Sequence, residues 1–189
     1  MEYTKAQPIP PVGSTLGEGK LTDGKWPLRI SNTIRIRFAA PPTGILRWQR
    51  PEPPVINRSA IFRADSYGPT CNQAPFSGAP DFGGGSASAS EDCLFLNIQS
   101  PANATNLPVL VWIHGGGYGV GNGQQDFTDL LTANDNSFVA VSIQYRLGAF
   151  GFLASDELVK NGVANAGLLD QFFALQWVQV RVNHQADLR

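Results

Sequence analysis

Pro108-Val109-Leu110-Val111-Trp112-Ile113 runs without a break into His114-Gly115-Gly116-Gly117-Tyr118-Gly119. The first run is continuous and apolar, the pattern of a central parallel strand covered on both faces. The second lets the backbone turn sharply while its N–H groups point inward, where they can hold a negatively charged oxygen with no side chain in the way. Two phosphate-binding patterns fail here. GxGxxG counted from Gly115 ends on Val120, and counted from Gly117 it ends on Asn122. A Walker loop needs Gly-Lys-Ser or Gly-Lys-Thr, but Gly19-Lys20 precedes Leu21 and Gly24-Lys25 precedes Trp26.

Working outward, Phe138 to Tyr145 repeats the apolar signature, and Phe127 to Ala133 is long enough to form the connection between the two runs. Upstream, Leu94, Leu96 and Ile98 alternate with Cys93, Phe95 and Asn97, a period of two that predicts a strand with unequal faces. Ile34 to Phe38 is β-compatible and ends at the turn Pro41-Pro42. Downstream, Leu168, Phe172 and Leu175 share one helical face, with Leu169, Phe173, Trp177 and Val180 beside it. This broad apolar arc predicts a buried helix over Leu168 to Val180. Strands alternating with helices indicate an α/β sheet. Residues 75–90, rich in Gly, Ser and Ala, predict a flexible surface loop.

The composition excludes several functions. With 42% hydrophobic and 15% charged residues, the 189-residue chain has the make-up of one globular domain. Fourteen Lys and Arg against fifteen Asp and Glu leave a net charge of -1, so no basic face can neutralise nucleic acid. The apolar runs are too short for a membrane span, and Met1 to Lys20 has no hydrophobic core of a signal peptide. Against that, the sequons Asn57-Arg58-Ser59 and Asn103-Ala104-Thr105 point toward glycosylation and secretion, which leaves the compartment open. The spacing of Cys71 and Cys93 fits neither a redox pair nor a zinc knuckle. It allows a disulfide, worth roughly 3 kcal/mol in an oxidising compartment, or two free buried thiols.

A set of motifs then converges. Glu91-Asp92-Cys93-Leu94-Phe95-Leu96-Asn97-Ile98 resembles the EDCLYLN signature of the type-B carboxylesterase and cholinesterase family, and His114-Gly115-Gly116-Gly117 resembles its oxyanion loop. Pro41-Pro42-Thr43-Gly44 with Leu46-Arg47-Trp48, Tyr145 to Leu153, and Asn165 to Gln171 leading to Ala174-Leu175-Gln176-Trp177-Val178 stand in the family's order from Ile36 to Gln179. Arg37, where a proline is usual, and Gln144, where an asparagine is usual, depart from the pattern.

The resemblance implies an α/β-hydrolase fold, of which these residues would be the N-terminal portion: a small N-terminal β-sheet and the first strands of the central sheet. It implies backbone donation from Gly116 and Gly117 to the oxyanion of a tetrahedral intermediate, worth on the order of 3 kcal/mol per donor. It further implies a Cys71–Cys93 disulfide, structural ion pairs Arg47–Glu91 and Arg146–Asp170, a small-molecule ester substrate, and neither metal nor cofactor. His114 would belong to the oxyanion loop and not act as the base, and His184 lies in a tail, Val180 to Arg189, that departs from the family's continuation.

Catalysis of this kind needs a GxSxG serine, followed in the chain by an acid and then a histidine. Gly84-Gly85-Ser86-Ala87-Ser88 comes nearest and ends on serine where glycine is required. The expectation is therefore a partial domain over 1–189 that stops before the nucleophile and is inactive alone. The alternative is a non-catalytic, cholinesterase-like binding or adhesion protein. The family's strand order would also leave Val109 to Ile113 as an open sheet edge through which the chain self-associates. Tyr118 and Phe127 do not separate a lipid from a small aryl ester.

Overall fold

The computed structural model describes residues 30–55, 66–74, 89–101 and 104–186. Strands β1 (Ile30–Arg37), β2 (Phe95–Pro101), β3 (Val109–Ile113) and β4 (Val139–Ile143) form one mixed sheet in the order β1-β2-β4-β3. Helices α1 (Thr128–Ala133), α2 (Gly148–Phe152), α3 (Asp156–Asn161) and α4 (Ala166–Ala186) complete the described elements. The arrangement agrees with the N-terminal portion of an α/β-hydrolase fold that the motifs lead one to expect.

The two apolar runs flanking the glycine loop are β3 and β4, which lie parallel with Val111 opposite Val141 and Ile113 opposite Ile143. The connection between them carries α1, as a parallel crossover requires. β2 is antiparallel to both β4 and β1. β1 is thus a member of this same sheet, while residues 1–29, where further strands of a small N-terminal sheet would fall, lie outside the described residues. The sequons at Asn57 and Asn103, and 75–88 of the proposed loop, also lie outside them.

Alternation places the two layers. Leu96, Val141, Ile143, Tyr145, Trp177 and Val178 share one core with Phe38, Leu94 and the Cys71–Cys93 disulfide. On the opposite face Ala140 packs with Phe127 and Leu131 of the crossover. Fully burying one such side chain stabilises by about 1.5–3 kcal/mol, so the α4 side, with the larger cluster, carries most of the fold.

One expectation needs correction. The apolar arc of α4 is only half covered: Ala174, Trp177 and Val178 are buried, but Leu168, Phe172 and Leu175 are 44%, 60% and 41% exposed. Leu110, Trp112 and Ile113 of β3, the terminal strand of the sheet, are exposed as well. The helix has two apolar faces, and the described residues supply a partner for one. No helix among them is long and apolar enough to cross a membrane.

Candidate oxyanion site

The glycine loop leaves the carboxyl end of β3, the edge of an open α/β sheet at which ligands bind. Four consecutive features shape it. His114 is buried, with its ring stacked on Tyr145 at 4.4 Å between centroids. Its Nδ1 lies 2.9 Å from the Gly115 carbonyl. An oxygen there can only accept, so Nδ1 carries the proton and Nε2 is a bare lone pair with no hydrogen-bond partner among the described residues. Burial holds the imidazole below its usual pKa, against an opposing contribution from the Gly115 bond, which keeps the ring neutral. His114 therefore builds the turn, and the hydroxyl against it, that of Tyr145, is taken up by the His114 carbonyl.

Gly116 has φ 121° and Gly117 φ 62°, both in the region that favours glycine. A Cβ on Gly116 would strike the Val120 carbonyl, whereas the Cβ positions of Gly115 and Gly117 face open space. The Gly116 carbonyl accepts from the amides of Gly119 and Val120 at 3.2 and 3.1 Å, closing the loop on itself. The amides of Gly116 and Gly117 donate to no acceptor among the described residues. Two adjacent donors without a partner among the described residues are chemically able to take a negative oxygen.

The loop is braced from several sides. The Tyr145 hydroxyl donates to the His114 carbonyl at 2.7 Å, and the Gly148 amide to the Tyr118 carbonyl at 2.7 Å. Tyr118 itself sits at φ 61°, with its exposed ring 4.6 Å from that of Phe152. Beyond Val120 the chain crosses the face of the sheet opposite α4. There the Gly123 carbonyl accepts from Asn97 Nδ2 at 2.7 Å and from Ser142 Oγ at 2.6 Å, while the Gly123 amide donates to Gln144 Oε1 at 3.3 Å. Gln99 Oε1 accepts from the Phe127 amide at 2.6 Å. These buried polar side chains take the place of apolar ones because a loop backbone, and not a helix, covers that part of the sheet. Reading the sequence alone marked Gln144 only as a departure from the motif pattern and gave Asn97, Gln99 and Ser142 no role. Their signal was polar residues inside otherwise apolar strands.

The charged pairs lie around this frame. Arg146 and Asp170, 3% and 0% exposed at their side chains, form a fork: Nε to Oδ2 at 2.8 Å and Nη2 to Oδ1 at 2.7 Å, with the Arg146 amide also donating to Oδ2 at 3.1 Å. Burial pushes the Asp170 carboxyl up, and the donations from Arg146 pull it down. Arg146 Nη2 further donates to the Gln49 carbonyl at 2.9 Å. Arg47 and Glu91 form a second fork at 2.6 and 2.7 Å. Arg37 forms a third with Asp92 at 2.6 and 2.9 Å, its guanidinium 4.4 Å from the Phe95 ring. The two departures from the motif pattern thus both have partners: Arg37 has Asp92, and Gln144 joins the Gly123 amide to the Pro69 carbonyl, to which its Nε2 donates at 2.8 Å. Local geometry at both positions is held by hydrogen bonds.

Comparison with known proteins adds to this geometry. A family model described as "Carboxylesterase family" matches residues 18–185, extending beyond the Ile36–Gln179 motifs at both ends and into the tail that had looked divergent. The chain is 41% identical over 162 residues to acetylcholinesterase from Bungarus fasciatus, covering 82% of this chain and 26% of that protein. It is 40% identical over 182 residues to carboxylesterase 1E from Rattus norvegicus, covering 91% and 32% respectively. It superposes on the crystal structure of Aspergillus niger EstA with a TM-score of 0.69 at 40% identity, covering 80% of this chain and 29% of the other. The chain thus spans a third or less of the length of these relatives.

Proposed function

We propose, from the premise that this chain belongs to the carboxylesterase family, that its residues form the oxyanion-binding part of a serine ester hydrolase. The observation that carries this is the pair of adjacent amides at Gly116 and Gly117, which donate to no acceptor among the described residues and stand at the carboxyl end of β3, with open space at the Cβ position of Gly117. When a nucleophile attacks an ester carbonyl, negative charge grows on the carbonyl oxygen. Donors fixed in advance stabilise it more in the transition state than in the ground state. Glycine at both positions lets the oxygen approach the backbone, and the bracing from Tyr145 and Gly148 keeps the donors from reorganising as charge develops.

The attacking serine, its acid and its base have no counterpart in these 189 residues, because no GxSxG occurs in them. The polypeptide by itself is therefore a cradle without a nucleophile. Purified and mixed with a p-nitrophenyl ester, it is expected to give no turnover above the buffer blank and no stoichiometric labelling by a fluorophosphonate probe. Covalent labelling of any hydroxyl in the 189-residue chain would overturn this reading.

A second property has its own support. Among the described residues β3 ends the sheet with its outer backbone groups unpaired and no charged side chain from Val109 to Ile113, and Leu168, Phe172 and Leu175 add an apolar helix face. Such an edge is a template for another strand. The isolated polypeptide is expected to self-associate and to bind a hydrophobic dye. A monodisperse monomer in light scattering would contradict this.

A further inference from the structure

The segment Cys71–Ala74 lies across the outer side of the glycine loop and bonds to it at two places. The Gln73 carboxamide pairs with the backbone of Gly121 as another strand would: the Gly121 amide donates to Oε1 at 2.7 Å, and Nε2 donates to the Gly121 carbonyl at 3.0 Å. Nε2 also donates to the Cys71 carbonyl at 2.7 Å. One residue on, the Ala74 amide donates to the Gly119 carbonyl at 2.7 Å. Gly121, at φ 117°, is pressed so closely on the His114 ring and the Gly115 carbonyl that a Cβ there would strike both. Whatever holds Gly121 therefore bears directly on the start of the cradle.

The other end of this segment is fixed to the sheet. Cys71 is bonded to Cys93, both buried, just ahead of β2, and Cys71 bridges Ser90, whose amide donates to the Thr70 carbonyl at 2.9 Å. We infer that Gln73 is a positioning residue for the glycine loop, transmitting the fixed position of the disulfide through Gly121 to the backbone that carries the Gly116 and Gly117 amides. The inference rests on the oxyanion reading of that loop. It assigns to a residue that the catalytic motifs leave out, and that is itself exposed, the task of setting where the donors point. The disulfide then acts as an anchor for the site as well as a link within the core.

The test is hydrogen exchange followed by NMR on the uniformly 15N-labelled 189-residue chain, comparing wild type with Gln73→Ala, Gln73→Glu and the pair Cys71→Ala, Cys93→Ala. Gln73→Ala removes all three bonds of the carboxamide. Gln73→Glu keeps an acceptor for the Gly121 amide but turns carboxylate oxygens on two carbonyls. Both are expected to speed exchange of the Gly119, Val120 and Gly121 amides by about tenfold. Both should also shift or broaden the Gly115, Gly116 and Gly117 signals, with β4 and α4 amides and the Gly167 signal unchanged. The cysteine pair should reproduce the loop effect. Unchanged loop amides in both Gln73 variants, or acceleration spread evenly over β4 and α4, would overturn the inference. No substrate enters this measurement, so its failure would leave the oxyanion reading standing. Covalent labelling of a hydroxyl would remove that reading without altering the exchange result.

Discussion

Asp170→Asn is expected to be the most damaging conservative change in the chain. The substitution preserves shape but turns one of the two acceptor oxygens into an NH2 group, so one arm of the Arg146 fork keeps its acceptor and the other faces an N–H group. The Arg146 cation, 3% exposed, is then buried without a counter-charge. Removing one member of a buried pair costs about 3–5 kcal/mol, a large fraction of the 5–15 kcal/mol or so that holds a typical domain together. With a urea dependence of about 2 kcal/mol per molar, the unfolding midpoint followed by far-UV circular dichroism should fall by about 2 M. The damage should reach the cradle, because the fork fixes the segment whose Tyr145 hydroxyl and Gly148 amide brace the His114 and Tyr118 carbonyls. The double change Asp170→Leu with Arg146→Met removes both charges and should recover most of the loss, since an apolar pair of similar volume has no ion to desolvate. An Asp170→Asn cost under about 1 kcal/mol, or a double variant no more stable than the single, would refute the reasoning.

Three other outcomes follow from the same geometry. Gly116→Ala should destabilise by about 2 kcal/mol or more, because it adds a collision with Val120 to an unfavourable φ, whereas Gly117→Ala, with open space around its Cβ, should cost about 1 kcal/mol; urea midpoints of the two variants rank them. Burial lowers the folded pKa of His114, so the unfolded chain takes up a proton below pH ~6.5 that the folded chain refuses. Stability should be fully present above that pH and fall by up to about 1.4 kcal/mol per pH unit below it until the folded ring itself takes up the proton, and His114→Gln should flatten that slope. Trp112→Lys, placing a charge on the open edge strand, should lower the apparent mass in light scattering with little change in helix content.

The parts legible in the sequence were those whose partners lie nearby or whose geometry only one residue type permits. β3 and β4 announced themselves as apolar runs, and the glycine loop followed because φ values of 121° and 62° at Gly116 and Gly117 admit little else. What could not be read was which apolar or polar face meets what. Leu168, Phe172 and Leu175 have the spacing of a buried stripe, but periodicity marks a face that could be covered and says nothing of the cover. Asn97 and Gln99 posed the converse problem. Alternating with Leu96 and Ile98 they resemble the solvent side of a strand, yet both are buried, because a loop from some 25 residues downstream lies on them and needs its backbone groups paired. Gln73 was invisible for the same reason, since its partner Gly121 is distant in sequence and is contacted only through its backbone.

That arrangement bears on how an ester hydrolase could assemble its site. Oxyanion stabilisation depends on donors already in place before charge develops, and every brace identified on this loop comes from within the chain: Tyr145 and Gly148 beyond β4, Gln73 and Ala74 beside the disulfide, Asn97, Ser142 and Gln144 beneath Gly123. These bonds hold the backbone of the loop on the side toward the sheet and the disulfide. What these residues leave open is the free side of β3 and the apolar face of α4. A strand added parallel to β3 would end at the same carboxyl edge as the glycine loop, so the surface that must be covered and the chemistry that must be completed adjoin each other. On the proposed reading, a reacting group carried at the end of such a strand would come to the edge of the sheet at which Gly116 and Gly117 lie.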